Sequence, residues 1–141
     1  DGVLKTLLHN TYTANLFGMT STGNATRGWG SPSIGISTFN IDVKPGETSK
    51  DEMIEDISEG IYIKASYDRP NIVTGEFSGL IAVGFLIEDG ELTTSLRESM
   101  IGTSLLELYG KIVKISREQV RKTRRYLPYV LLEDLKISGS K

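Results

Sequence analysis

Cysteine is absent and histidine occurs once, as His9. The chain therefore forms no disulfide, offers no thiolate nucleophile and holds no cysteine-ligated metal. A zinc-binding helix needs two imidazoles on one face with a carboxylate between them, and His9 has no second imidazole four residues on. A Ser-His-Asp triad would have to recruit the same His9, and no nucleophile-elbow sequence accompanies it. His9 reads as a structural or solvent-exposed histidine. Long apolar runs are missing too. No stretch approaches the ~20 residues of a membrane span, and the longest, residues 80–87, is strand-sized and interrupted by Gly84. Neither sign of charge dominates, with 16 basic against 18 acidic residues, which argues against a dedicated nucleic-acid binder. The opening Asp1-Gly2-Val3-Leu4 carries neither an initiator methionine nor a signal-peptide pattern, and predicts a segment of a longer protein.

What is present is one domain's worth of chain, residues 1–141, with 38% hydrophobic residues and 15 glycines. Leu4, Leu7, Leu8, Thr11 and Ala14 recur at helical spacing, and Gly18 is placed to end that helix in a left-handed cap. Residues 20–33 are rich in Gly, Ser, Thr and Asn and predict a long loop. Ile34 and Ile36 alternate on one phase and Phe39, Ile41 and Val43 on the other, as in a strand bulged near Thr38. Pro45-Gly46 predicts a type II turn with positive φ at the glycine. Ser49 with Glu52 is a capping box opening a helix of Met53, Ile54 and Ile57 that Gly60 stops. A strand from Ile61 ends at Asp68-Arg69-Pro70-Asn71. Residues 80–87 and the run from Leu92 form a hairpin through Asp89-Gly90. Ser104 with Glu107 is a second capping box, for a helix carrying Leu105, Leu108, Ile112 and Ile115, and residues 130–137 are the last strand. The fold class expected is α+β, a mostly antiparallel sheet with two or three short helices.

Two stretches stand out as candidate surfaces. In residues 20–33, Ser21, Gly23, Asn24 and Trp29 are candidate contacts for substrate or partner, with Gly28-Trp29-Gly30-Ser31-Pro32 able to face a peptide backbone. That loop lacks the lysine of a phosphate loop and the dinucleotide spacing. Residues 111–125 hold seven of the 16 basic residues against one acid, Glu118; Arg121, Arg124 and Arg125 are its candidates for a partner contact. The acids Asp42, Glu47, Asp51, Glu52, Glu55, Asp56 and Glu59 cluster elsewhere along the chain. A solvated face is the plain alternative, and a nucleic-acid helix would want more stacking aromatics than the pair Tyr126 and Tyr129.

Four short motifs follow one another: Tyr12-Thr13-Ala14, Ser21-Thr22-Gly23, Val73-Thr74-Gly75-Glu76-Phe77-Ser78 and Ile137-Ser138-Gly139. With the helix start Pro45-Gly46-Glu47-x-Ser49, their order resembles the C-terminal domain of the TldD/PmbA family, cytoplasmic metallopeptidases also described as modulators of DNA gyrase. The resemblance is closer to the PmbA, or TldE, branch. It implies that the HExxxH zinc helix of the family lies upstream of the matched region. It also implies that TldD-type subunits place a third, cysteine zinc ligand where this chain reads SREQVRKTRRYLPY over residues 116–129. The expected role is therefore the C-terminal part of a PmbA/TldE-like subunit with no catalytic residue and no metal or cofactor of its own, zinc belonging to the family's catalytic subunit. The expected partners are that TldD-like subunit or a second copy, and unfolded peptide, in the cytoplasm and without membrane. The alternatives are a non-catalytic binding or assembly module, or a gyrase-associated modulator using a basic contact surface.

Overall fold

The structure, a computed structural model, describes residues 3–140. Contacts divide the chain into two compact units: residues up to Asp42 with Lys122–Arg125, and Val43–Arg121 with the chain from Tyr126 onward.

In the first unit Asn10 decides where the helix begins. Its backbone is extended, its Oδ1 accepts from Thr13 N–H at 2.9 Å, and Thr13 Oγ1 accepts in return from Asn10 N–H at 3.2 Å. This is a capping box with threonine in the place of the usual Glu or Gln. Helix α1 therefore spans Thr11–Phe17, and the expected stripe through Leu4, Leu7 and Leu8 lies outside it, with all three exposed. Their spacing was helical, but an Asn that surrenders its side chain to the N3 amide starts a helix rather than continuing one. Gly18 ends α1 at φ 65°, as its position implied. The expected loop at 20–33 contains a two-residue strand, β1 (Ala25–Thr26), paired antiparallel with β2 (Gly35–Ile36). The bulged strand expected over 34–43 is two strands, β2 and β3 (Ile41–Asp42), and Ile41 N–H donates to the Arg124 carbonyl.

The second unit opens at Pro45-Gly46. Gly46 is not among the residues of positive φ, so the expected type II turn is absent. The glycine is needed for proximity instead: a Cβ there would lie 2.0 Å from the Ile115 carbonyl oxygen, where Gly46 N–H donates to Ser116. The Ser49–Glu52 capping box is present in both directions and opens α2 (Lys50–Glu55), which buries Met53. The helix stops at Asp56, ahead of Gly60, which belongs to strand β4 (Glu59–Ser66).

Strand β5 (Glu76–Glu88) is the spine of a five-stranded sheet. It pairs antiparallel with β4, with β6 (Glu91–Ser95) and with β7 (Arg97–Ser104). The β5–β6 turn carries φ 49° at Asp89 and 80° at Gly90, the two left-handed residues that match a right-twisted hairpin. Strand β10 (Ile137–Ser140) adds to β7, with Ile137 opposite Ile101. Met53, Ile81, Ile87 and Ile101 are the buried apolar core of this unit.

Ser104 caps α3 (Leu105–Gly110) by accepting from Glu107 N–H, but the reciprocal bond of the expected capping box is not made. The Glu107 carboxylate is drawn instead to the Thr103 hydroxyl and Lys111. Ile112 and Ile115, expected on this helix, belong to strand β8 (Ile112–Lys122). The last strand expected over 130–137 is divided between β9 (Arg125–Leu132) and β10. The α+β class with mostly antiparallel pairing and three short helices is as expected. No helix among the described residues is long and apolar enough to cross a membrane.

Candidate functional site

The motifs of the first unit converge on His9. Thr22, from Ser21-Thr22-Gly23, grips its backbone from both sides: Thr22 Oγ1 accepts from His9 N–H at 2.7 Å, while Thr22 N–H and hydroxyl donate to the His9 carbonyl. Thr13, from Tyr12-Thr13-Ala14, places Oγ1 at 3.2 Å from His9 Nδ1, and Phe17 tilts against the ring at 6.2 Å. His9 is buried together with Asn10 and Ala14. The two motifs thus hold a backbone corner, and the single imidazole is enclosed within it.

Beside that corner is an open cleft of about 380 Å³, lined by Asn10, Thr11, Tyr12, Ala25, Arg27, Pro32 and Ile34. The Gly-rich segment that forms one wall includes the hairpin loop between β1 and β2. Ser21, Gly23, Asn24 and Trp29 do not line the cleft; of the Gly28-Trp29-Gly30-Ser31-Pro32 run, Pro32 does. Ser21 accepts from Gly23 N–H, Gly23 takes φ 74°, and Asn24 Nδ2 donates to the Ser37 carbonyl, so all three shape the loop. Trp29 stands fully in solvent on the loop's outer turn. Sequence reasoning missed Arg27, although a signal was there: it is the one charged residue within residues 20–33.

The basic run proved to lie on strands β8 and β9, joined at Thr123–Arg124, and not on a helix. Its cations are less free than the sequence suggests. Lys114 bonds Asp56 at 2.7 Å, Lys111 bonds Glu107 at 3.1 Å, and Lys111 also donates to the Asp134 carbonyl. The ion pair of Lys114 with Asp56 thus joins the basic run to the acidic stretch at 42–59. The Arg121 guanidinium lies 5.3 Å from the centre of the Tyr126 ring, a cation–π contact. Arg124 and Arg125 are exposed and belong with the first unit.

A polar cluster lies where α2 meets β8. Lys50 pairs with Asp51 at 2.9 Å, sits 5.9 Å from the centre of the Tyr129 ring, and its backbone N–H donates to Glu118. The hydrogen bond to Asp51 holds the Lys50 ammonium above its ordinary pKa. Burial, and then the neighbouring Tyr129 at 6.3 Å between ring centres, raise the Tyr62 phenol above its own. Both shifts favour the protonated form, so the Lys50 ammonium and the Tyr62 phenol keep their protons at neutral pH. Buried Ser116 ties it down, donating to the Glu118 carbonyl and accepting from Tyr129 N–H.

Zinc does not suit these residues. Glu118, the one acid within the basic run, already spends a carboxylate oxygen on Lys50 N–H, and the one imidazole is enclosed. Among the described residues no three His, Cys, Asp or Glu side chains are grouped to hold a metal ion.

Residues 1–139 match the PmbA/TldA metallopeptidase C-terminal domain. This chain belongs to the PmbA/TldD metallopeptidase family. A metalloprotease of Methanocaldococcus jannaschii is 32% identical over 120 residues, which are 84% of this chain and 26% of that protein. The crystal structure of TldE from Thermococcus kodakarensis superposes on 98% of the chain with a TM-score of 0.91 at 28% identity, and the match covers 32% of TldE. A Thermotoga maritima structure, described as a candidate modulator of a DNA gyrase, gives a TM-score of 0.86 at 33% identity over 97% of this chain and 31% of its own. The chain thus spans about a quarter to a third of the length of these relatives.

Proposed function

We propose that the chain is the C-terminal domain of a PmbA/TldE-like subunit of a cytoplasmic zinc metallopeptidase. It supplies no catalytic zinc ligand and works beside a TldD-like, zinc-bearing subunit to enclose unfolded peptide. The observation that carries this reading is the likeness to TldE along 98% of the chain, in a sequence with one imidazole and no thiol. Strand β4, at the edge of the five-stranded sheet, offers an extended backbone to which a peptide strand can add.

A purely assembling role is favoured by one feature. The turn before β5 is fixed by Asn71, whose Oδ1 accepts from Val73 and Thr74 N–H, and it holds Ile72 and Val73 out into solvent at 90% exposure each. Two branched apolar side chains on a rigid turn suit burial against other polypeptide. The gyrase-modulator reading draws on Arg121, Arg124 and Arg125, and predicts DNA binding that weakens steeply with salt.

Zinc content and turnover of the complete protein separate the peptidase-subunit reading from a self-sufficient enzyme, and the absence of a tight zinc site in this chain is tested on the chain itself. After dialysis, mass spectrometry is expected to find no stoichiometric zinc on this chain. About one zinc per chain, lost in His9→Ala, would overturn the assignment.

A further inference from the structure

Asn10 and Arg27, two residues that line one cleft, carry unused hydrogen-bond donors. Asn10 is 6% exposed, and its Oδ1 is identified by the bond it accepts from Thr13 N–H, so the other end of the amide is the NH₂ group. Among the described residues that NH₂ donates to no partner. The Arg27 side chain likewise makes no hydrogen bond or ion pair among them, although its guanidinium carries five donors. The cleft that both residues line contains no carboxylate, and its remaining wall is largely apolar: Tyr12, Ala25, Pro32 and Ile34. At about 380 Å³ it lies within the size range of small-ligand sites.

We infer that this cleft binds the carboxylate-bearing C-terminal end of a peptide with an apolar last side chain. Arg27 meets the carboxylate in the forked geometry that guanidinium offers. The Asn10 amide donates to an adjacent oxygen, and the apolar residue packs against Pro32 and Ile34. A donor-only polar set with one fixed positive charge selects an anionic acceptor, and the apolar wall disfavours a bare inorganic ion. The choice of a peptide as the source of that carboxylate rests on the peptidase reading above; the chemistry of the cleft does not.

The test uses the complete protein containing this chain and two N-acetylated hexapeptides ending in Leu, one with a free C-terminal carboxylate and one with a carboxamide. Isothermal titration calorimetry is expected to show the acid binding about tenfold or more tightly than the amide, the scale of a hydrogen bond to a charged group. Arg27→Gln should reduce the acid to the affinity of the amide. Ile34→Glu, which sets a carboxylate beside the ligand's, should weaken the acid more than the amide. Circular dichroism melting of each variant checks that the fold is kept. Equal binding of acid and amide, no binding of either, or an unchanged preference in Arg27→Gln overturns the proposal. Inorganic phosphate competing as well as the acid peptide would overturn the peptide assignment. Calorimetry needs no turnover, so the cleft can fail while the subunit assignment stands, and the reverse.

Discussion

At Gly46 there is no room for a methyl group. Its Cβ would meet the Ile115 carbonyl oxygen at 2.0 Å, and that oxygen is main chain, which cannot rotate away. Gly46→Ala is therefore expected to cost about 1–3 kcal/mol, the range of overpacking, and to lower the urea midpoint accordingly. Gly102→Ala is the control: it meets no heavy atom within 4 Å and has no positive φ, so its midpoint should stay close to that of the parent. The Pro45-Gly46 pair was legible as a place that needs glycine, but the reason was not. A turn is written in adjacent residues, whereas the carbonyl that excludes a side chain arrives from 69 positions further on. The same holds for Thr22, whose grip on His9 spans 13 positions. Arg27 shows the opposite case: its lone charge in a neutral loop is a local signal, yet it was not among the residues singled out from the sequence.

Among the elements, α2 carries the clearest sequence signature and the clearest pH dependence. Hydrogen bonds from the Ser49 backbone N–H and then its hydroxyl hold the Glu52 carboxyl below its ordinary pKa. The sign follows from linkage: the folded state favours the ionised form. The contribution is complete above the ordinary carboxylate value of about 4.3 and is lost as pH falls through the lowered folded value. Unfolding midpoints measured from about pH 6 to pH 3 should fall less steeply in Glu52→Gln than in the parent. Identical slopes would remove Glu52 from the account. The Ser49–Glu52 box and the Asp89-Gly90 turn were legible because each is decided within four residues, whereas the Asn10 cap was not read and the Ser104–Glu107 box is made in one direction only. Strand limits were not. Ile112 and Ile115 have a spacing that suits a helix, yet they sit in β8, where the Ser116 carbonyl accepts from Gly46 N–H and Arg117 N–H donates to the Thr48 carbonyl. Pairing with a distant strand overrode local periodicity, and it placed the basic run on strands and not on a helix.

For the whole molecule, order and spacing of the four motifs were enough to indicate the family, because each motif fixes a backbone corner that the fold requires. Thr13 and Thr22 fix the surroundings of His9, Asn71 and Gly75 shape the turn before β5, and a Cβ on Gly139 would strike Ser99 Oγ at 2.5 Å. Motifs of that kind report architecture more than chemistry, which is why they gave the fold and left the contact surface open. If Arg121, Arg124 and Arg125 form part of that surface, reversing all three to Glu in the complete protein should weaken association with the zinc-bearing subunit. The loss should be larger at low salt than at moderate salt. Unchanged association with reduced DNA binding would favour the gyrase-modulator reading instead. The central claim is that catalysis belongs to the partner. Its most direct test is to purify the complete protein and its TldD-like counterpart separately and follow cleavage of an unstructured peptide by each alone and by the mixture. The account predicts that this subunit alone gives no turnover and that the mixture is active, with zinc travelling with the counterpart. Turnover by this subunit alone, with about one zinc per chain, would contradict it.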